Sequence, residues 1–347
     1  MSRLFPDPAS IPSLSPEEIE SSVELLLDGE LPEESKARFL IALSDRGESA
    51  GELAGFARVL LGRAVRPVFD RSGSRPLLEL CGTGGDQAGF LNISTAAMFV
   101  AAGSGARVVK HGNRAFTSQC GSADVLEALG VPIHLDPARV GEVLERAGCV
   151  FMMAADFHPA VAMVAPLRRK LGERGKKTIF NLLGPLLNPA LPDYQLTGIY
   201  RPEMLPFYAE AMRLLGRRKA WAVHGSGLHP GEGVDELSIT GSSRVVEVSS
   251  EAAASKEFTF DPGDLGLAPA SDTRSLLGGD AASNARRIES ILRGEESGAA
   301  RDMILLNASA AIHLAGIGST HRESLEIASR SIDSGEAFGA LVALRQA

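Results

Sequence analysis

The sequence predicts an α/β protein in which a small all-helical domain precedes a larger domain with a mainly parallel central sheet. Three observations support this prediction. About the first 65 residues carry apolar side chains at helical spacing and show no strand signal. From Leu77 onward, short apolar runs alternate with helical segments, which is the rhythm of βαβ units. A glycine-rich and a cation-rich turn follow two successive strands there, as at the ligand-binding edge of open α/β sheets.

Length, charge and cysteine content exclude several classes of protein. With 347 residues, 44% of them hydrophobic, the chain can bury a full core. The net charge of −8 argues against a general nucleic-acid-binding protein, because counterion release needs a concentrated cationic face. Cys81, Cys120 and Cys149 are odd in number and widely spaced, so we expect reduced thiols. The sequence shows no targeting segment or membrane-spanning run, which predicts a cytoplasmic protein that acts on a small molecule.

Three helices are expected before the sheet begins. Ser15-Pro16-Glu17-Glu18 combines an N-cap serine, a proline at the first helical position and a glutamate three residues after the cap, so a helix should run to about residue 27. Apolar spacing predicts two more helices over residues 31–43 and 49–65. A stretch with Pro, Gly, Ser and Arg at 67–76 is the expected domain boundary.

The remainder of the chain alternates between strand-like and helix-like segments. The predicted strands are residues 77–81, 107–110, 131–135, 149–153, 194–200 and 218–223, with a peripheral antiparallel pair at 244–248 and 258–260. The predicted helices are 94–103, 122–129, 137–147, 158–171, 204–215, 280–293, 300–315 and 324–344, the last broken at Gly335. Gly-Pro and Asn-Pro steps predict a turn-rich connection over 178–189.

The glycine-rich turn, Gly82-Thr83-Gly84-Gly85-Asp86, stands between a strand and a helix. Its glycines let backbone N–H groups approach an anion closely. The turn lacks the Gly-Lys-Ser/Thr of a Walker loop and the third glycine of the dinucleotide fingerprint, and such a turn can also be purely structural. Asn92-Ile93-Ser94-Thr95 favours the functional interpretation, because it places three short polar side chains at a helix start, where phosphate or Mg²⁺ can bind.

The cation-rich turn, Lys110-His111-Gly112-Asn113-Arg114, ends the next strand. A solvated surface loop could have the same composition. Its position beside the glycine-rich turn favours contact with a ligand, since both turns should lie at the carboxyl edge of one parallel sheet. Thr117, Ser118 and Ser122 add hydroxyl donors at the following helix start. The two turns together predict a site for a sugar phosphate.

Three further features are weaker signals. Asp235-Glu236 follows a glycine loop and could bind a divalent cation; its oxygen ligands favour Mg²⁺ over Zn²⁺, although similar acidic pairs elsewhere in the chain are interpreted as solvated helix faces. His158 and Arg168 lie ten residues apart on one predicted helix. Isolated helical residues of these types are usually structural, so their spacing alone does not assign them a function.

The motifs in combination resemble the anthranilate phosphoribosyltransferase family over nearly the whole chain. The resemblance rests on Gly82-Thr83-Gly84-Gly85-Asp86, Asn92-Ile93-Ser94-Thr95, Lys110-His111-Gly112-Asn113-Arg114, Gly121-Ser122-Ala123-Asp124, His158-Pro159, Thr178-Ile179-Phe180-Asn181, Gly184-Pro185-Leu186-Leu187-Asn188-Pro189, Asp235-Glu236-Leu237-Ser238, Gly279-Asp280-Ala281-Ala282 and Leu305-Leu306-Asn307-Ala308.

The resemblance implies a nucleoside phosphorylase/phosphoribosyltransferase-like fold. Residues 1–70 would form the small helical domain, joined by helices from about 158–190, and residues 71–347 the α/β domain that binds phosphoribosyl diphosphate. It also implies a homodimer formed through the small domain. The expected reaction transfers the 5-phosphoribosyl group from phosphoribosyl diphosphate to the amine of anthranilate, with release of diphosphate, in tryptophan biosynthesis. Mg²⁺ is the expected cofactor.

The resemblance assigns site residues as well. The substrates would be bound by Gly82, Gly85, Asp86, Phe90, Asn92, Ile93, Ser94, Thr95, Lys110, His111, Gly112, Asn113, Arg114, Ala115, Phe116, Thr117, Ser118, Ser122, His158 and Arg168. Of these, Gly82, His111, Asn113, His158 and Arg168 would face anthranilate. Ser94, Asp235 and Glu236 would hold magnesium. No dedicated catalytic residue is implied; Arg168, Asn113 and His111 would orient the substrates and stabilise charge.

Some positions depart from the family pattern, and two other functions stay open. Gln119-Cys120 replaces a typical Lys-Ser pair beside the phosphate loop, and the loops at 173–177 and 225–233 are longer than usual. A pyrimidine nucleoside phosphorylase would share the broad fold but typically has Lys-His-Ser where this chain has Lys110-His111-Gly112. A non-catalytic nucleic-acid-binding relative would have a basic groove and would lack the acidic pair.

Overall fold

The computed structural model describes residues 4–71, 75–86, 88–115, 119–227, 229, 231–252 and 254–347. Its N-terminal part consists of α1 (Pro16–Leu27), α2 (Glu33–Arg46) and α3 (Ala50–Gly62). Capping boxes start α1 and α3: the Ser15 and Ser49 hydroxyls accept from the third helical N–H, and the glutamate at that position accepts from the cap N–H. The three helices predicted for this region are confirmed.

The described residues form one eight-stranded sheet. Its strands are β1 (Leu77–Gly82), β2 (Arg107–Gly112), β3 (Cys149–Met153), β4 (Tyr194–Gly198), β5 (Lys219–Ser226), β6 (Gly233–Val234), β7 (Ser243–Ser249) and β8 (Lys256–Phe260). The order is β3-β2-β1-β4-β5-β7-β8, and β6 pairs with β5. All pairings from β3 to β5 are parallel, whereas β6, β7 and β8 pair antiparallel. The predicted mainly parallel sheet, with its peripheral antiparallel pair, is confirmed.

Helices follow most of the parallel strands and also form the C-terminal part of the chain. They are α4 (Ile93–Gly103), α5 (Ser122–Ala128), α6 (Val140–Ala147), α7 (Ala154–Phe157), α8 (Pro159–Met163), α9 (Ala165–Glu173), α10 (Phe180–Leu183), α11 (Leu205–Leu214), α12 (Ala281–Leu292), α13 (Ala299–Leu314), α14 (His321–Asp333) and α15 (Glu336–Leu344). Gly335, in the left-handed conformation (φ 85°), separates the last two, as the sequence predicts.

Two predicted elements are wrong. Residues 131–135, all of which are described, do not form a strand, although Val131, Ile133 and Leu135 are buried in alternation. The segment does not pair with the described sheet, in which β3 is the neighbour of β2, and the N–H of Val131 bonds instead to the Leu126 carbonyl at 2.9 Å. The single helix expected over 158–171 is instead divided into α8 and α9.

The sheet separates two hydrophobic cores. Along β5, Trp221 and Val223 face a core formed with α4, α13 and the other C-terminal helices. Ala220 and Ala222 face the opposite way, into a core that also contains the N-terminal helices, α9 and α11. This alternation is the period-two pattern of a strand buried on both faces. The helical region is therefore packed against one face of the sheet, next to the connection formed by residues 178–190.

Two sequence-based exclusions can be examined directly. Cys81, Cys120 and Cys149 are free and buried, as predicted. In the part of the chain that the structure describes, no helix combines the length and the apolar character that crossing a membrane requires.

Candidate active site

The glycine-rich turn begins where β1 ends, and it packs directly against Asp235. A Cβ atom at Gly82 would overlap the Asp235 carboxylate, so this position requires glycine. Gly84 and Gly85 have φ angles of 70° and 89°, which side chains rarely permit. The N–H of Gly84 donates to Asp235 Oδ2 at 2.6 Å. The turn therefore holds a carboxylate from a distant part of the chain.

Asp86, Asp235 and Glu236 form what we call the acidic cluster. The N–H of Asp235 donates to Asp86 Oδ2 at 3.4 Å, and the N–H of Ser94 donates to Glu236 Oε1 at 3.2 Å. A Cβ at Gly198, the last residue of β4, would overlap the Asp235 carbonyl, so glycine also permits this close approach. The sequence reasoning brought Asp86 and Ser94 to one edge of the sheet, and the structure brings Asp235 and Glu236 to the same place.

The acidic cluster brings three carboxyl groups close together, which disfavours their ionised forms. Burial raises the pKa of Glu236 to about 7. Burial and the neighbouring Asp86 and Glu236 carboxylates raise the pKa of Asp235 well above its usual range. The nearest cation, Lys110, is 3% exposed, and its Nζ donates to Leu80 O at 2.8 Å and Ser94 Oγ at 3.2 Å. A cation at this cluster would relieve the repulsion between its carboxylates.

The ligand chemistry of the cluster fits magnesium. Ser94, Asp235 and Glu236 offer oxygen atoms, which hard cations prefer over nitrogen and sulfur. Among the described residues, no group of three or more His, Cys, Asp or Glu side chains is arranged to hold a metal by itself. Magnesium rarely needs such a cage, because it is commonly bound by one or two carboxylates together with water and substrate phosphates.

The cation-rich turn begins within β2, which ends at Gly112, and is tied to α5. Arg114 forms ion pairs with Asp124 at 3.1 Å and Glu127 at 2.8 Å. Asp124 Oδ2 also accepts from the N–H groups of Ala115 at 2.8 Å and Gly121 at 2.9 Å. The pKa of Asp124 is consequently held below its ordinary value, against the effect of burial. The arginine expected to meet a phosphate is thus paired with carboxylates of its own loop and helix.

The two turns lie side by side, as their positions after adjacent strands predict. Lys110 reaches Ser94 from β2, and Asn92 Nδ2 donates to Cys120 O at 3.1 Å. Asn113 is exposed, and its carbonyl accepts from Ser122 Oγ at 3.4 Å. A Cβ at Gly112 would overlap the same hydroxyl.

The remaining residues predicted to bind phosphoribosyl diphosphate differ in solvent exposure. Ile93 and Thr95 are buried at the start of α4, whereas Phe90 is partly exposed and pairs with Leu277 through an isolated antiparallel bridge. Phe116, Thr117 and Ser118 lie outside the described residues. The binding roles of all these residues stay predictions.

His111 and His158 meet although they are distant in the sequence. Their ring centroids are 5.2 Å apart in an edge-to-face arrangement. His158 Nε2 lies 2.6 Å from the Leu187 carbonyl and must donate to it, which sets the tautomer. Burial and the adjacent His158 lower the pKa of His111 to about 3, and its Nε2 is buried without a partner among the described residues. Both rings are neutral at physiological pH.

Arg168 extends from α9 toward the connection between the helical region and the sheet. Its Nη2 donates to Phe180 O at 3.2 Å, and the guanidinium lies 5.5 Å from the centroid of the Phe180 ring. Burial lowers its pKa, although an arginine remains charged at any physiological pH. The guanidinium retains further donors, so it can bind a carboxylate without giving up the Phe180 contact.

The sequence reasoning missed Glu79, which lies beneath the cation-rich turn. It is 1% exposed in the middle of β1, and its Oε1 accepts from the N–H of His111 at 3.4 Å. Burial raises its pKa to about 7, and Asn188, Arg217 and Lys110 act in the opposite direction. The available signal was a single charged residue inside the otherwise apolar run Leu77 to Leu80.

Comparison with known proteins gives consistent results along the chain. Residues 74–338 match the model of a glycosyl transferase family, a/b domain, and residues 9–64 match that of the helical bundle domain of the same family. An anthranilate phosphoribosyltransferase from Roseiflexus castenholzii is 46% identical over 328 residues, which is 94% of this chain and 92% of the relative.

Solved structures agree. Anthranilate phosphoribosyltransferase from Thermus thermophilus has a TM-score of 0.87 and 41% identity, over 99% of this chain and 100% of that one. The enzyme from Saccharomyces cerevisiae, in complex with PRPP and Mg, has a TM-score of 0.82 and 26% identity, over 95% and 91%.

Proposed function

The chain belongs to the anthranilate phosphoribosyltransferase family, and we propose that it transfers the 5-phosphoribosyl group of phosphoribosyl diphosphate to the amine of anthranilate, releasing diphosphate, in the biosynthesis of tryptophan. The observation that carries this proposal is the junction of the glycine-rich turn, the acidic cluster and the cation-rich turn at one edge of the sheet. Such an edge is where open α/β folds bind phosphorylated ligands.

Phosphoribosyl diphosphate would bind between the two turns. Gly82, Gly85, Asp86, Phe90, Asn92, Ile93, Ser94, Thr95, Ser122 and residues 110–118 are the proposed contacts. Positive φ angles at Gly84 and Gly85 let the backbone of the glycine-rich turn approach an anion closely, and α4 begins directly after it. Arg114 and its partner Glu127 are exposed, so exchanging this ion pair for a phosphate would cost little.

Magnesium would be held by Ser94, Asp235 and Glu236. The charge of the acidic cluster supports this assignment, and so does the yeast relative that binds PRPP and Mg. When bound, the ion neutralises charge on the departing diphosphate. Lys110 lies behind Ser94, and its Nζ donates to the Ser94 hydroxyl at 3.2 Å.

Anthranilate would bind on the side of His111, Asn113, His158 and Arg168. A neutral His111–His158 pair avoids placing a second cation beside the developing positive charge on the ribosyl carbon. Arg168 would orient the carboxylate of anthranilate through charge-assisted hydrogen bonds. An aryl amine is unprotonated at neutral pH, so orientation of the two substrates is the main requirement and no dedicated general base is proposed.

The decisive experiment is an assay of the purified protein with Mg²⁺, anthranilate and phosphoribosyl diphosphate. We expect fluorescent phosphoribosylanthranilate and an equal amount of diphosphate. Phosphate-dependent cleavage of thymidine is the control for a pyrimidine nucleoside phosphorylase, and a DNA gel shift at physiological salt is the control for a nucleic-acid-binding relative. Activity in either control together with no diphosphate release would refute the proposal.

Three organisational proposals accompany this function. We propose a homodimer formed through the helical region, where Leu4 and Met163 are exposed at 76% and 59%; light scattering of the purified protein tests it.

We propose that residues 1–70, with helices from about 158–190, act as one domain, because these segments share a hydrophobic core. The reduced state of the buried thiols supports a cytoplasmic location.

A further inference from the structure

The acidic cluster is held from behind by a residue that the substrates cannot reach. Asn307, in the middle of α13, has no exposed surface. Its Oδ1 accepts from the Leu237 N–H at 3.0 Å, and its Nδ2 donates to the Leu237 carbonyl at 2.9 Å and to the Met303 carbonyl at 2.9 Å. The side-chain amide therefore uses both of its N–H donors and its oxygen.

This pairing constrains the backbone next to Glu236. A side-chain amide that binds both the N–H and the C=O of one residue fixes the orientation of the two peptide groups on either side of it. One of those peptide groups joins Leu237 to Glu236. Leu237 is itself completely buried, so its N–H and C=O have no access to water if Asn307 is removed.

The opposite side of the same segment is also held firmly. Glycines at the ends of β1 and β4, Gly82 and Gly198, contact Asp235 so closely that neither position could carry a Cβ. The N–H of Gly84 binds the Asp235 carboxylate. The two acidic residues are thus placed between contacts from the sheet on one side and Asn307 on the other.

We propose that Asn307 is a positioning residue for the magnesium-binding carboxylates Asp235 and Glu236. The inference rests on the proposed function, since that function assigns the metal to these carboxylates. Asn307 does not touch the substrates or the metal; it acts through the peptide group of Leu237. Two neighbouring carboxylates repel each other, and a rigid backbone holds the two residues in place in spite of that repulsion.

The test uses Asn307→Ser, which removes the paired hydrogen bonds, and Asn307→Asp, which keeps the shape and the bond from the Leu237 N–H but loses both donated bonds. Ser309→Ala is the matched control: Ser309 is buried in the same helix, and its hydroxyl bonds only to the Leu306 carbonyl. Binding of Mn²⁺ in the presence of phosphoribosyl diphosphate, without anthranilate, is followed by electron paramagnetic resonance.

We expect both Asn307 variants to weaken Mn²⁺ binding by about 10- to 100-fold, the range found when the residues that orient metal ligands are lost. The KM for anthranilate should change less than about twofold. A general loss of stability would not weaken Mn²⁺ binding while leaving this KM nearly unchanged. Ser309→Ala should change neither quantity.

Wild-type Mn²⁺ affinity in a variant that is folded by circular dichroism would overturn the inference, and so would an equal loss in Ser309→Ala. If Asn307→Ser does not fold, the isosteric Asn307→Asp decides. Wild-type protein that releases no diphosphate would instead refute the proposed function, so the two failures are distinguishable.

Discussion

The acidic cluster and the cation-rich turn occupy the same edge of the sheet, but their charges are balanced in opposite ways. The cluster gathers Asp86, Asp235 and Glu236 beside the buried Lys110, and burial together with the neighbouring carboxylates raises the pKa values of Asp235 and Glu236. In the cation-rich turn, Arg114 is paired with Asp124 and Glu127, and the pKa values of both carboxyls fall. A bound cation is therefore favoured at the acidic cluster more than at the cation-rich turn.

This difference predicts how the acidic cluster and the cation-rich turn each respond to a loss of charge. A bound cation stabilises the ionised form of half-buried carboxylates that repel one another. This attraction is strong because solvent screens charge interactions less at low exposure. A solvated arginine with two carboxylate partners contributes little to folding and can change partners. Loss of charge in the acidic cluster should therefore impair the reaction far more than loss of a partner of Arg114.

The largest expected effect comes from neutralising the acidic cluster. Asp235→Asn combined with Glu236→Gln should lower the Mg²⁺-dependent rate by on the order of 100-fold or more, because both carboxylates proposed to bind the metal are lost. The rate is measured over a Mg²⁺ titration. Glu232→Gln, in an exposed residue of the same loop, is the control. An unchanged titration would remove these ligands from the mechanism.

The second effect concerns the proposed anthranilate-binding side, to which α9 contributes Arg168. Arg168→Ala should raise the KM for anthranilate by roughly 10- to 100-fold and the KM for phosphoribosyl diphosphate by less than about twofold, because the guanidinium would bind only the carboxylate of anthranilate. Steady-state kinetics with each substrate varied would measure both constants. Arg169→Ala, at the exposed next position, is the control. Equal changes in both constants would contradict the assignment.

A smaller effect should follow from loosening the cation-rich turn. Asp124→Asn weakens the bonds from the Ala115 and Gly121 N–H groups, at 2.8 and 2.9 Å, that shape the turn. We expect the KM for phosphoribosyl diphosphate to rise by about 10-fold, equivalent to the ~1.5 kcal/mol of one hydrogen bond to a charged group. Glu127→Gln breaks only the Arg114 pair and should have little effect. If Glu127→Gln had the larger effect, the ion pair and not the turn geometry would be the important feature.

The smallest expected effect is on the pH dependence of folding stability. It tests the raised pKa of Glu79, the buried carboxyl group beneath the cation-rich turn. Burial raises the pKa of Glu79 from 4.5 to about 7, so the folded protein retains a proton that the unfolded chain has lost. The resulting stability is fully present below pH 4.5 and is lost as the pH rises through about 7.

Glu79→Gln removes this titration. Between pH 5 and pH 8, the Tm of the wild type should therefore fall by about 2 °C more than that of the variant, measured by differential scanning calorimetry at both pH values. Other titrating groups are shared by the two proteins and cancel in the comparison. Parallel pH profiles would mean that Glu79 has no raised pKa in the folded state.

Much of the site could be predicted because its determinants are local. The glycine-rich turn, the polar start of α4 and the cation-rich turn each follow a strand within a few residues, and parallel strands place their carboxyl ends at one edge. The same local logic identified the capping boxes at Ser15 and Ser49. It failed at residues 131–135, where an alternating pattern is satisfied by side-chain packing alone.

The sequence by itself determined the fold class and located the two turns proposed to bind anions and the acidic pair, since helix caps, glycine conformations and strand periodicity depend on neighbouring residues. Only the tertiary structure decided which charged and polar groups pair with one another. Gly84 meets Asp235 across 151 residues, and Asn307 meets Leu237 across 70. Pairing of Arg114 with Asp124 and Glu127, and burial of Glu79, also depend on how elements pack. Electrostatic energies are set by distance and burial in three dimensions, which no local pattern specifies.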